Sequence, residues 1–263
     1  MSEEKGRIKL NAGHTENVSM RVAIMQPYFF PYIGYFQLLA SVDVFILYDN
    51  IKYTKKGWIN RNRMLQNGQD TMFSLPLKSA SDFQDICDRE LAATFDRDKL
   101  VGKFREAYRR APYFEQTFEL IERVIRHEDA NLFCYLYNSL IQTCKHLGIG
   151  TKIKVSSQVA IDHTLKNQEK VLALCESMGA DIYVNAIGGI GLYSRDVFQQ
   201  NRIELKFLQS RPFEYAQFGA AFVPWLSIID VMMFNSTDDI RSHITTPVMT
   251  VSETIPCQPP LLH

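Results

Sequence analysis

Three stretches of the chain concentrate side chains able to hold a polar ligand or move a proton. The first, "MQPYFFPYIGYF" (25–36), sets Gln26, Tyr28, Tyr32 and Tyr35 among two prolines and Gly34. The second, "DNIKYTKKGWINRNRM" (49–64), places Asp49 ahead of Lys52, Lys55, Lys56, Arg61 and Arg63, interleaved with Trp58, Asn60 and Asn62. The third, "NAIGGIGLYSRDVF" (185–198), brings Asn185, Gly188, Gly189 and Tyr193 to the start of a short helix. Amides and phenols donate and accept hydrogen bonds, cations meet phosphate oxygens, and rings offer flat faces. Such a mixture suits a diphosphate carrying a sugar or a planar group.

Blander readings stand beside this one. A solvated basic loop accounts for residues 52–63, a tight turn accounts for the glycines, and core packing accounts for Phe29, Phe30 and Phe36. On the functional reading, Gln26, Tyr32, Tyr35 and Asp49 are the catalytic candidates. Tyr28, Gly34, Lys55, Trp58, Asn60, Arg61, Asn62, Asn185, Gly188, Gly189 and Tyr193 are the substrate-binding ones, with Lys55 and Arg61 on phosphate. The six histidines form no HxH or HxxxH pair, so no metal ligand set is assigned.

The elements that must position these residues follow from periodicity. "RVAIM" (21–25), "DVFILYD" (43–49) and "TMFSLPL" (71–77) are short apolar runs suited to strands, the last with Pro76 near its end. Helical patterns follow, one stopped by Pro112 and others around 113–126 and 131–147. From "TKIKVSS" onward strand and helix alternate, the signature of parallel βαβ units. The expected fold is α/β: a Rossmann-like, mostly parallel sheet, with a helical insertion at about 95–150. In such sheets ligands bind beyond the carboxyl ends of the strands, where Gln26, Asp49, Ser156, Asn185 and Gln209 all fall.

Composition sets outer limits. With 263 residues, 46% of them hydrophobic, the chain can build a full core as one domain over residues 20–245. Residues 1–19 are polar and lack an apolar signal core, so they read as a disordered extension; residues 246–263 read as a loosely held tail. Lys+Arg and Asp+Glu both number 29, so there is no overall basic field for gripping DNA. No apolar run is long enough for membrane insertion, and five cysteines without a CxxC pair suit the cytoplasm.

Two resemblances add to this. "PYIGY" (31–35) resembles the signature of the HIGH-motif nucleotidylyltransferases, with Tyr32 and Tyr35 standing where that signature has histidines. Tyrosine stacks and donates but carries no positive charge near neutral pH, which weakens adenylyl transfer as an expectation. "MQPYFFPYIGYFQLL", "DNIKYTKKGWINRNRM", "NAIGGIGLYSRDVF" and "PWLSIIDVMMFN", in that order, resemble the WbqC-like proteins. That resemblance implies a bacterial protein of O-antigen and other surface-polysaccharide (lipopolysaccharide) biosynthesis. The implied activity is transfer of an acyl or amino-acyl group, such as glycyl, to a dTDP- or UDP-linked amino sugar. The kinship to nucleotide-activating enzymes adds ATP as a cofactor, or an aminoacyl-adenylate or aminoacyl-tRNA as the donor. The alternatives are an ATP-dependent nucleotidylyltransferase or adenylate-forming ligase, and a non-catalytic sugar-nucleotide-binding protein; an oligomer is compatible with each.

Overall fold

The computed structural model describes residues 19–246 and 249–250. Five parallel strands form its centre: β1 (Arg21–Met25), β2 (Val44–Leu47), β5 (Lys152–Val155), β6 (Ile182–Ala186) and β7 (Glu204–Leu208), in the order β5-β2-β1-β6-β7. A two-residue strand, β8 (Met249–Thr250), adds antiparallel to β7 at one edge. The fold is therefore the α/β, Rossmann-like sheet that the sequence predicts. Most of the 1–19 extension lies outside the described residues, as does most of the 246–263 tail.

The strands are apolar throughout because both faces are covered. Alternate residues serve opposite layers. Ala23, Phe45, Leu47 and Val184 join the larger cluster, beneath helix α1 (Ile33–Ala40) and the added helices. Val22, Ile24, Val44 and Ile46 join the other, beneath α5 (Asn167–Ser177) and α6 (Arg195–Gln200). The order reverses direction on either side of β1, the place where open sheets leave a crevice.

Between β2 and β5 lie α2 (Arg97–Tyr108), α3 (Phe114–Ile125) and α4 (Leu132–Leu147). The Asn131 side chain caps α4 by accepting the Cys134 N–H at 3.0 Å, and Gly148 ends it in the left-handed conformation. Two helices close the chain, α7 (Ile228–Phe234) and α8 (Thr237–Thr245).

One expected element is corrected. The stretch 71–77 is not a strand of the main sheet. Its first part belongs to β4 (Gln69–Ser74), which pairs antiparallel with β3 (Arg61–Gln66) in a separate two-stranded sheet. Asn67 and Gly68 turn the hairpin at φ +53° and +76°, the left-handed pair that an Asn-Gly dipeptide adopts readily. Arg61, Asn62 and Arg63 are accordingly strand residues rather than parts of an open loop.

Candidate functional site

Most of the residues singled out by type are already fully engaged. Tyr35 is buried, and its hydroxyl donates to the Gln26 backbone carbonyl at 3.0 Å while its ring packs on Phe45. Tyr28 donates a long 3.4 Å bond to the Gln26 side chain, and burial pushes its phenol up to about 12. Between them the chain bends through Phe30, whose φ of +42° is unusual for a bulky residue. Two bonds to the Phe30 carbonyl hold that bend, from Asn62 Nδ2 at 2.8 Å and Ser227 Oγ at 2.7 Å. Asn62 thus clamps the bend.

Asp49 is buried between the ends of β2 and β5. Its carboxylate takes the Ser157 N–H (2.9 Å), the Ser157 hydroxyl (2.6 Å) and the Ser156 hydroxyl (2.7 Å). These bonds fasten the ends of the two strands together. Asn60 bridges the Tyr53 hydroxyl and the Leu75 carbonyl, and Arg61 donates to the carbonyls of Gly57 and Lys56. Trp58 lies under the Arg63 guanidinium, and Lys55 is exposed in an ion pair with Asp82. Asn185 is buried beneath the 187–192 turn; a Cβ at Gly189 would come within 2.4 Å of its Nδ2, so a larger residue there would have to displace the Asn185 amide. Gly188 is exposed with open space around it.

Tyr32 is the partial exception. A Cβ at Gly34 would lie 2.4 Å from both the Tyr32 ring and Ser210 Oγ, so the glycine lets these two close over the start of α1. The ring meets Trp225 edge-on at 6.1 Å, and burial raises the phenol above its usual range. Together they line a nook of about 50 Å³, room for a few waters. Gln26, Tyr28, Tyr35, Asp49, Asn60, Asn62 and Asn185 line neither this nook nor the two larger clefts, although Gln26 and Asn185 lie at the same end of the sheet, on neighbouring parallel strands.

The open space lies beside them. A cleft of about 750 Å³ runs from the end of β2 to the turn after β6, over the start of α5. Tyr48, Asn50, Ile51 and Lys52 line one side, Phe83 and Asp85 another, and Lys166, Gln168 and Lys170 the floor, with Gly191, Leu192 and Tyr193 opposite. Of the substrate-binding residues named from sequence, only Tyr193 is here.

Lys170 is the unusual group in the cleft. It is 3% exposed, yet it makes no ion pair among the described residues. Its Nζ donates to the Asn50 carbonyl at 3.0 Å and stands 5.1 Å from the Tyr48 ring centroid. Burial lowers its pKa from 10.5 and neighbouring Lys166 adds to the shift, while Asp85 and Asp49 oppose it. Buried lysines are ordinarily paired. The first turn of α5 adds unsatisfied N–H groups, because Lys166 at the cap position supplies no side-chain bond. The walls are aromatic: Tyr48, whose phenol is pushed up to about 12, mainly by burial, and Tyr193, which receives the Tyr183 hydroxyl at 3.3 Å. Phe83 is 83% exposed at the mouth, with Lys52 Nζ 4.7 Å from its ring centroid.

A polar chain supports this wall from behind. The Asn50 amide donates to His163 Nδ1 at 3.0 Å, and His163 Nε2 faces the Val159 carbonyl at 3.0 Å. A carbonyl only accepts, so Nε2 is the donor in the contact with Val159. Among the described residues no group of His, Cys, Asp and Glu could hold a metal ion, and no helix is long and apolar enough to cross a membrane.

The family model of the WbqC-like proteins matches residues 26–242 of the chain. An uncharacterized protein of Mycobacterium tuberculosis is 28% identical over 220 residues, spanning 82% of this chain and 93% of that one. No solved structure matches.

Proposed function

The chain belongs to the WbqC-like protein family, and from that premise we propose that it is a cytoplasmic transferase of surface-polysaccharide biosynthesis. It adds an acyl or amino-acyl group to a nucleotide-linked amino sugar bound in the 750 Å³ cleft. The observation that carries this reading is Lys170, a buried cation that makes no direct ion pair among the described residues, opening onto a cleft that also holds Lys52 and Lys166. A diphosphate supplies the missing negative charge, and Tyr48, Phe83 and Tyr193 supply faces for base and sugar.

Acyl transfer needs a base, because the sugar's amine must lose a proton as its nitrogen forms the new C–N bond. Asp85 is the one carboxylate among the described cleft residues, and it takes that proton. The donor's bond to its leaving group breaks in the same sequence, and the leaving group departs with its electron pair. Adenylyl transfer is the weaker reading. The two rings that stand at the histidine positions are divided, Tyr35 in the core and Tyr32 in a nook of about 50 Å³.

The test is mass spectrometry of a UDP- or dTDP-linked amino sugar incubated with the protein, ATP and candidate acyl donors, glycine and glycyl-tRNA included. The expected product is heavier by one acyl group, and Asp85→Asn should lose turnover while keeping nucleotide affinity. An unmodified sugar with every donor, despite tight binding, would leave a binding protein instead.

A further inference from the structure

A second cleft, of about 650 Å³, opens between the β3–β4 turn, the carboxyl end of α2 and residues 217–221. It shares no lining residue with the first. Arg109 and Arg110 stand on its wall, and neither makes an ion pair with a described residue. Glu106 also lines it but pairs with neither arginine. The carbonyl end of α2 attracts cations, which explains an arginine here on its own. It does not explain the ring beside them.

Phe218 is 43% exposed and held at φ +48°, a conformation costly for a bulky residue. Its ring lies 5.6 Å from the Arg110 guanidinium, and the Phe234 ring meets it edge-on at 4.8 Å. What holds the strained turn is a buried carboxylate. Asp230, fully buried, accepts from Gln217 Nε2 (2.6 Å) and from the hydroxyls of Tyr215 (2.7 Å) and Tyr108 (2.8 Å). Tyr108 in turn receives the Leu65 N–H of β3 at 2.8 Å, and Gln217 Oε1 receives the Val223 N–H at 2.7 Å. One side chain thus ties together all three walls of the cleft. Such a satisfied network makes a rigid, preformed wall rather than an incidental surface dent.

We propose that this cleft is a second ligand site, for a nucleoside phosphate, with Arg109 and Arg110 on the phosphate and Phe218 against the flat ring. Two unpaired guanidiniums match phosphate oxygens, and an exposed ring with a guanidinium already beside it extends readily into a stack. The site does not depend on the first cleft's assignment.

Calorimetric titration of the full chain with ADP tests it, using melting temperature to confirm that each variant folds. The expected result is ADP binding that Arg110→Gln, and separately Arg109→Gln, weakens at least about tenfold, the scale of a lost charge-assisted bond. Phe218→Gly, which suits the left-handed backbone, should lose affinity although it relieves the strain. Lys170→Met in the first cleft should leave this binding event intact. If ADP occupies both clefts, each variant removes one event of two. If ADP enters this cleft alone, Arg109→Gln and Arg110→Gln each weaken the single event and Lys170→Met leaves it unchanged, whatever the outcome of the transferase test. No binding at millimolar ADP, or an affinity identical in the wild type and both arginine variants, overturns the proposal.

Discussion

The start of α1 and the start of α5 sit at the same end of the sheet, on opposite faces, and could hardly differ more. Around α1 the aromatic stretch 25–36 is crowded and satisfied: Tyr35 reaches Gln26, Asn62 and Ser227 share the Phe30 carbonyl, and Phe29, Phe30 and Phe36 are wholly buried. Around α5 the side chains are ordinary in type but less fully matched, with Lys170 buried and in no direct ion pair among the described residues, beside a helix start without a side-chain cap. Residue type alone therefore does not say whether a side chain is free to meet a ligand. Unspent bonding capacity is the better guide, because a group that has found its partner within the fold gains little from a ligand.

The largest effect that sharpens this contrast is on stability. Phe36→Ala should cost about 3–5 kcal/mol, read as a lowered urea midpoint, since a fully buried ring leaves a cavity. Asn62→Ala should follow with about 1–3 kcal/mol, because it removes one of the two bonds that hold the strained Phe30 bend. Neither variant, once folded, should change affinity for a nucleotide-linked sugar, and a selective loss of binding would return the aromatic stretch to the site. Tyr35→Phe should cost about 0.5–1.5 kcal/mol for its single bond and leave affinity untouched.

At α5 the sign reverses. Lys170→Met removes a buried unpaired charge and should leave stability unchanged or raise it by about 1 kcal/mol. The pH dependence follows from the same cause. The folded pKa lies below the unfolded 10.5, so the charged form is penalised at pH values below the lowered pKa. That penalty lifts as pH rises from the lowered value toward 10.5. The stability gap between Lys170→Met and the wild type should therefore close across that window, and taking the difference cancels titrations common to both. A gap independent of pH would mean that Lys170 is not desolvated in the fold.

Much of the architecture was legible, because alternating apolar strands and periodic helices state it directly: 21–25, 43–49 and the βα units after residue 151 fall where the pattern puts them. The hairpin turn has a sequence signal in Asn67-Gly68, which a reading of the apolar run 71–77 by itself passes over. The cleft was harder. Asp49 and Asn185 sit at the predicted strand ends, yet each points into the fold, while the adjacent Asn50 and the nearby Gly191 and Tyr193 face open space. Lys166 and Lys170, one helical turn apart, look in sequence like any charged helix face. Only packing reveals that one of them is buried.

Calorimetric titration of a UDP-linked amino sugar into the wild type and Lys170→Met, with melting temperatures taken on the same preparations, tests the central claim most directly. The expected result is binding to the wild type and at least about tenfold weaker binding to Lys170→Met, the scale of a charge-assisted contact, with a melting temperature equal or higher. Equal affinity in the two proteins, both folded, would contradict it.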